Sequence, residues 1–513
     1  MFQTYQTKLC NIQLNRGSTS DQYLIEYGKF FGKLERKLFV QSHIKEIPPS
    51  NLKKTFLKQY GITSRQFNSI RMQLDGKVSS FLEKRDLDLQ DLEAKTVHLQ
   101  KIIHQKTNQT AKLHQKLLLI PQTNPLFRQH VKKYKNLKHF LHQKKRRLRN
   151  LQQKLEKLKV DRDTKRIRIC FGSKKLFHKQ FHLIENEYKD HQQWKNDWVE
   201  ARSSQFLVIG SKDETFGNQS ATYNVENTLR LRVADCFIGK YGKYIEFPSV
   251  MFPYGQEWLD KAKIPYMGFT RNGKPQKYFT SITYRFIKKE KGWYVNATVE
   301  RETPPIGTSN RNGLIGIDLN TGFLAICEVD RYGNPIHRDT IKVSMYGRRK
   351  EQVKASLSDA IKEVLNDAVL VQKDIVIEKL NFTRKKTQLK QMGASYARML
   401  SGFAYSSFQA LIEAKAKKAG VNIRRINPAY TSQIGHMKFM ARYGLSSHEA
   451  AACVIARRGY FLKPEKIKYD TVLTFPKGLD RKQSNFSKWR TLTNYYKKEY
   501  AFQDKIELLK ADR

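Results

Sequence analysis

The sequence predicts a multidomain α+β chain, in which a β-rich module carries an inserted helical block and is followed by an α/β domain. A leucine rhythm of three-, four- and seven-residue steps marks the stretch from about 20 to 160 as helical. Short alternating apolar runs fill 163–300, and from 313 onward strand-like runs are separated by helical ones. The 513 residues are enough for roughly three or four domains.

Residues 1–16 read as a strand that adds to the β-rich module, with the helical block inserted after it. In that block Leu137, Leu141, Leu148, Leu151, Leu155 and Leu158 carry the apolar stripe. Pro121 and Pro125 break the run, which predicts two long helices folded into a hairpin. The strand candidates that follow are RIRICF, QFLVIG, LRLRVADCF, YIEFPSVMF, SITYRF and GWYVNATVE, punctuated by Gly, Asn and Asp. From 313 the expected order begins with two strands in 313–329, a third at 340–344 and a helix at about 348–367. A strand at 374–380, a helix at about 392–418, a strand at 421–426 and a last helix from Ser447 complete it. That order is the one expected of an RNase H-like fold. The tail after Gly459 is basic and aromatic (Trp489, Tyr495, Tyr496, Tyr500) and matches no element of that order.

Lys and Arg total 96 against 47 Asp and Glu, a formal net charge of +49. A compact chain repels itself at that charge, so a large polyanion is the expected partner, and nucleic acid is preferred over a membrane surface. No apolar run approaches the ~20 residues of a spanning helix. MFQTYQTKLCNIQL lacks the apolar centre of a signal peptide, so the bacterial cytoplasm or nucleoid is the expected location. Lys132, Lys135, Lys144, Lys145, Arg146 and Arg147 fill the polar positions of the second long helix and are expected to meet phosphates rather than only solvent. Cys10, Cys170, Cys236, Cys327 and Cys453 are too far apart for a zinc-type pair and read mostly as small core residues.

The chemistry gathers in GLIGIDLNTGFLA (313–325), where Asp318 sits among Leu314, Ile315, Ile317 and Leu319. A charge in an apolar strand is costly unless compensated, and a metal ion is the usual compensation. Glu378 ends the apolar strand DIVIEKL, and an adjacent central strand brings it beside Asp318. Two carboxylates converging at strand ends hold Mg²⁺, and a pair of such ions ~4 Å apart serves phosphodiester cleavage. A third ligand is expected from the start of GLSSHEAAACVIARRG, with His448 and Glu449 as candidates. Ser446 and Glu449 form an S-x-x-E capping pattern, so His448 is preferred, and a nitrogen ligand admits Mn²⁺ as well as Mg²⁺. Ala450, Ala451 and Ala452 let this helix approach the sheet. Arg457 and Arg458 meet a phosphate or complement the helix end, and His436 reads as structural.

GIDLN (316–320), IVIEKLNF (375–382) and SSHEAAACVIARRG (446–459) resemble the RuvC-type motifs of TnpB, the transposon-encoded RNA-guided nuclease related to type V CRISPR effectors. INPAYTSQIG (426–435) resembles that family too, and FGSKKLF, GSKDETFGNQ and ITYRF look like a TnpB-related subgroup. The resemblance covers about 163–460. It implies a β-barrel wedge domain (residues 1–16 and 163–305) with an inserted helical recognition domain (17–162), then a RuvC nuclease domain with a basic tail (306–513). It further implies a guide RNA, a short duplex motif beside the target, target double-stranded DNA with a displaced strand, and Asp318 and Glu378 as catalytic carboxylates. Two features depart from it. No CxxC pairs follow the TSQ segment, so no zinc is expected. Ser447 stands where the third-motif Asp belongs, with His448 and Glu449 next.

The expected function is therefore RNA-guided DNA cleavage by a two-metal RuvC mechanism, with Asp318, Glu378 and His448 as metal ligands and Glu449 as a further catalytic candidate. The alternative is an RNA-guided DNA-binding regulator with a degraded nuclease site; a structural RNA-binding protein is a third reading. A DDE transposase leaves the front half of the chain unexplained.

Overall fold

The computed structural model describes residues 1–9, 19–270, 272–320, 322–345, 347–379, 402–461 and 483–499. Cys10, Leu380, Asn381, Phe382 and Tyr500, and the 392–401 part of the expected long helix, lie outside the described residues. The chain divides into two compact units, Met1–Thr96 with Ile103–Glu302, and Val97–Ile102 with Thr303–Arg513. Among the described residues no helix is long and apolar enough to cross a membrane.

In the first unit, strand Phe2–Lys8 pairs antiparallel with Gly292–Glu300, from Phe2 opposite Glu300 to Lys8 opposite Tyr294. That strand pairs with Ile282–Lys289, which pairs in turn with Gln205–Val208. A three-stranded sheet (Ala221–Tyr223, Leu229–Arg232, Tyr244–Phe247) and a hairpin (Tyr266–Phe269, Pro275–Tyr278) accompany it. The β-barrel expectation is corrected here: the four-stranded sheet is open, and among the described residues its edge strands Phe2–Lys8 and Gln205–Val208 do not pair with each other. RIRICF forms no strand, and helix His191–Ala201 and hairpin strand Tyr266–Phe269 lie where no element was expected. Their apolar residues do not alternate cleanly, so periodicity alone was silent.

The helices of this unit run Thr19–Phe39, Pro49–Tyr60, Ser64–Leu119 and Pro125–Asp163. Thr63 and Gln66 cap the third with a reciprocal box, and the Asn124 side chain accepts the Leu126 N–H (2.9 Å) at the start of the fourth. The break between them spans Pro121 and stops at Pro125, which takes the first helical position where its missing N–H costs nothing. The helices share one core with the sheet: Tyr23, Phe31, Leu34 and Phe67 pack with Phe206, Tyr284, Phe286 and Trp293. Gly28 and Gly32 allow the first helix to pass close to the chain at 202–203. A Cβ at either would stand 2.5 Å from a backbone carbonyl, that of Ser203 or Arg202.

The second unit is built on a five-stranded sheet in the order Pro335–Lys342, Phe323–Val329, Ser309–Asn320, Lys373–Glu378, Ile423–Ile426. The first three are antiparallel, and the last two run parallel to the central strand Ser309–Asn320. Helices Lys350–Leu370 and Gly402–Ala419 cover one face, where Ile315, Ile317, Ile375 and Ile377 meet Leu357, Ile361, Phe408 and Ile412. Helix Ser447–Phe461 covers the other, where Leu314, Val329 and Val376 meet Ala450, Ala452 and Val454. The tail helix Asn485–Glu499 adds Trp489 and Leu492 to that second core.

Cys327 and Cys453 are buried in that core, whereas Cys170 and Cys236 are exposed, against the expectation of mostly buried thiols. A hydrogen bond with Cys453, followed by burial, pushes the Cys327 thiol far above its usual range, so it packs as a neutral side chain.

Candidate active site

The parallel ladder sets Ile315 opposite Ile375, Gly316 opposite Val376 and Ile317 opposite Ile377. One step further along the two strands stand Asp318 and Glu378, neighbours in the sheet. Side chains alternate between faces, so both carboxylates share the face of Leu314 and Val376, which is the face covered by helix Ser447–Phe461. That helix starts beside them because Gly316 offers no side chain. A Cβ there would stand 2.6 Å from the Ala456 nitrogen and nearer still to the Ala452 carbonyl oxygen.

Asp318 Oδ2 accepts a hydrogen bond from the Asn320 amide (2.9 Å) and faces His448 Nδ1 at 3.3 Å. The Asp318 side chain is 14% exposed and that of His448 is 48% exposed, so the pair opens to solvent on the imidazole side. Phe323 meets the His448 ring edge-on at 5.1 Å and holds its orientation. Glu378 Oε1 accepts from the Thr431 hydroxyl at 2.6 Å, and its backbone carbonyl accepts from Gln409 (3.2 Å).

Glu449 is engaged elsewhere. Its carboxylate accepts the Ser446 N–H (2.7 Å) while the Ser446 hydroxyl accepts the Glu449 N–H (3.3 Å), a reciprocal cap of the helix start. Arg458 corrects the phosphate-contact expectation. It is 2% exposed and donates to the Asn427 and Ala429 carbonyls, bracing the loop that delivers Thr431. Arg457 likewise donates to the Gly333 carbonyl and lies 4.8 Å from the Phe439 ring centre. Lys132, Lys135, Lys145, Arg146 and Arg147 are exposed on helix Pro125–Asp163, and Lys144 is half-buried over Phe140. His436 is buried, 8% exposed.

Thr431, Asn320 and Phe323 were not singled out in the sequence. Thr431 lies in TSQ, and only its placement against Glu378 distinguishes it from any loop threonine. Asp374, on the same strand as Glu378, makes the opposite case. It is 1% exposed and accepts from Thr308 (2.9 Å), Asn422 (2.9 Å) and Arg424 (2.8 Å), a saturated carboxylate that ties strand starts together. Asp374→Ala leaves those buried donors unpaired. An expected loss of about 1–3 kcal/mol or more for an unsatisfied buried group is read in denaturant unfolding, where an unchanged midpoint would contradict it.

Among the described residues no group of three or more His, Cys, Asp and Glu is placed to hold a metal ion. Two hard carboxylates still fit Mg²⁺, which is commonly held by one or two carboxylates with waters and phosphates completing its shell. The nearby imidazole admits Mn²⁺.

No protein-family model matches the chain, and no curated protein does. Among solved structures it is similar to T. thermophilus RuvC in complex with a Holliday junction substrate, at 20% identity and a TM-score of 0.22 over 29% of this chain and 93% of that one. It is also similar to a CRISPR-Cas12f ternary complex, at 12% identity and a TM-score of 0.21 over 70% of this chain and 81% of that one. Both likenesses are slight, and neither bears on what the residues of this chain do.

Proposed function

We propose that this chain is an RNA-guided DNA endonuclease that cleaves phosphodiester bonds at Asp318 and Glu378, with His448 as the third member of the site. One observation carries the reading: the register of two parallel strands sets two carboxylates side by side, and a helix start brings an imidazole within 3.3 Å of one of them. The motifs' resemblance to TnpB and the net charge of +49 supply the guided, nucleic-acid-binding part.

Asp318 and Glu378 would hold the cation, Mg²⁺ or Mn²⁺, which when bound polarises a phosphodiester and lowers the pKa of a coordinated water. The chain's own residues do the rest. Asn320 and Thr431 donate to the two carboxylates and keep them from turning away. In the tautomer that donates Nδ1–H to Asp318, His448 leaves the Nε2 lone pair as a hydrogen-bond acceptor. Thr431→Val is expected to lower cleavage about 10–100-fold, as for other partners that orient ligands. Plasmid cleavage with the fold checked by circular dichroism measures it, and wild-type cutting by a folded variant would remove Thr431 from the site.

A second reading is a guided DNA-binding regulator. It is favoured by Ser447 in the position of an expected carboxylate and by Glu449 closing onto its own helix cap. Incubating the protein and its co-purified RNA with target plasmid in Mg²⁺ or Mn²⁺ separates the two. Cutting that EDTA stops supports the nuclease; target binding with no cutting supports the regulator; protein purified under native conditions without RNA counts against both.

A further inference from the structure

The first unit contains a cavity of about 580 Å³ that the nuclease site does not use. This lies in the size range, about 300–1,000 Å³, of small-molecule sites. Its wall holds Lys77, Lys84, Arg168, Arg202 and Arg285, and no carboxylate. Lys77, Lys84 and Arg168 already pair with Glu35, Asp88 and Asp161. Arg285 has no such partner among the described residues, and the Arg202 Nε donates only to the Trp198 carbonyl of its own helix (3.3 Å).

Arg202 is built into place. Its guanidinium lies 5.1 Å from the Trp198 ring centre, and Gly172, at φ +105°, leaves room for it, since a Cβ there would stand 3.1 Å from Arg202 Cγ. Arg36 stands beside it with a buried Nη1 that has no hydrogen-bond partner. Burial, and then the charge of Arg202, hold the Arg36 guanidinium below its ordinary range. Like charges held together in a half-buried wall are stabilised by an anion arriving from outside. Phe81 and Phe171 are half-buried in the same wall, which adds an aromatic surface to a cationic one.

We propose that this cavity is a binding site for one unstacked nucleotide of a single strand, its phosphate on Arg202 and Arg285 and its base against the wall of Phe81 and Phe171. Cations with aromatic rings are the combination that holds single strands, since phosphates take the charge and every base offers a π-face. The inference rests on the nucleic-acid-binding part of the proposed function and not on cleavage, so the two fail separately.

Cys170 lines the cavity and is exposed, which provides a reporter. Full-length protein freed of nucleic acid is treated with iodoacetamide, and labelling of Cys170 is followed by peptide mass mapping. Cys236, the other exposed thiol among the described residues, serves as the fold control. The probes are a ribohexanucleotide, a deoxyhexanucleotide and inorganic tripolyphosphate. A hexanucleotide is expected to slow labelling of Cys170 and not of Cys236, whereas tripolyphosphate protects far less. The better of the two hexanucleotides names the strand. Arg285→Gln, on an exposed strand position, removes most of the protection, and Phe81→Ala weakens hexanucleotide binding about tenfold, the usual worth of one stacked base. No protection by either hexanucleotide, equal protection by tripolyphosphate, or protection unchanged in Arg285→Gln with Cys236 labelling as in wild type overturns the proposal.

Discussion

In Asp318→Ala, DNA cleavage is expected to fall by more than about a hundredfold while RNA and target binding stay as in wild type. Partners that merely orient a ligand cost about 10–100-fold when removed, and Asp318 is itself one of the two carboxylates proposed to hold the cation. The change is mild for folding. Asp318 lies opposite Ala325 in the antiparallel ladder, its side chain reaches solvent, and its partners Asn320 and His448 have water to turn to. Plasmid nicking and linearisation in Mg²⁺ and Mn²⁺, with a gel shift on the target, measure both halves. Cutting that survives the substitution would remove Asp318 from the site, and lost binding would make the residue structural.

The second large effect is on stability. Gly316→Val adds a branched side chain where even a Cβ overlaps the backbone at Ala452 and Ala456. The helix cannot yield locally, because its Ala450, Ala452 and Val454 side are packed in a closed core. Overpacking of this kind costs about 1–3 kcal/mol or more. At about 2–4 °C per kcal/mol for a unit of this size, thermal unfolding followed by circular dichroism is expected to start several degrees lower. Cleavage is lost as well, since a displaced helix carries His448 away from Asp318. A variant that melts and cuts like wild type would show that the helix does not need this close approach.

The second unit was more legible than the first for a physical reason. Its central strands are buried on both faces and read as nearly unbroken apolar runs, LIGID and DIVIE, so a carboxylate in either stands out. The capping role of Glu449 was readable from Ser446 three residues before it, because a capping box is local. Glu378 stands out by ending its strand, whereas the three donors that saturate Asp374 on the same strand come from residues 48 to 66 positions away, which no local pattern reveals. In the first unit RIRICF alternates like a strand and forms none, since no neighbouring strand takes its backbone. Arg458 has the sequence position of a surface cation at a helix end, yet it is buried against the Asn427 and Ala429 carbonyls, a placement set by tertiary packing.

From the order of residues alone came the two long helices broken at the prolines and the strand sequence of the second unit, together with the expectation of a polyanion partner and the proposal of Asp318, Glu378 and His448. These depend on composition and on periods of a few residues, which a chain displays without folding. The sharing of one core by helices and sheet, the open rather than closed sheet, the threonine on Glu378 and the cationic cavity came only from the tertiary structure. Each joins residues tens to hundreds of positions apart, and which distant groups meet is set by register and packing, which no local pattern encodes.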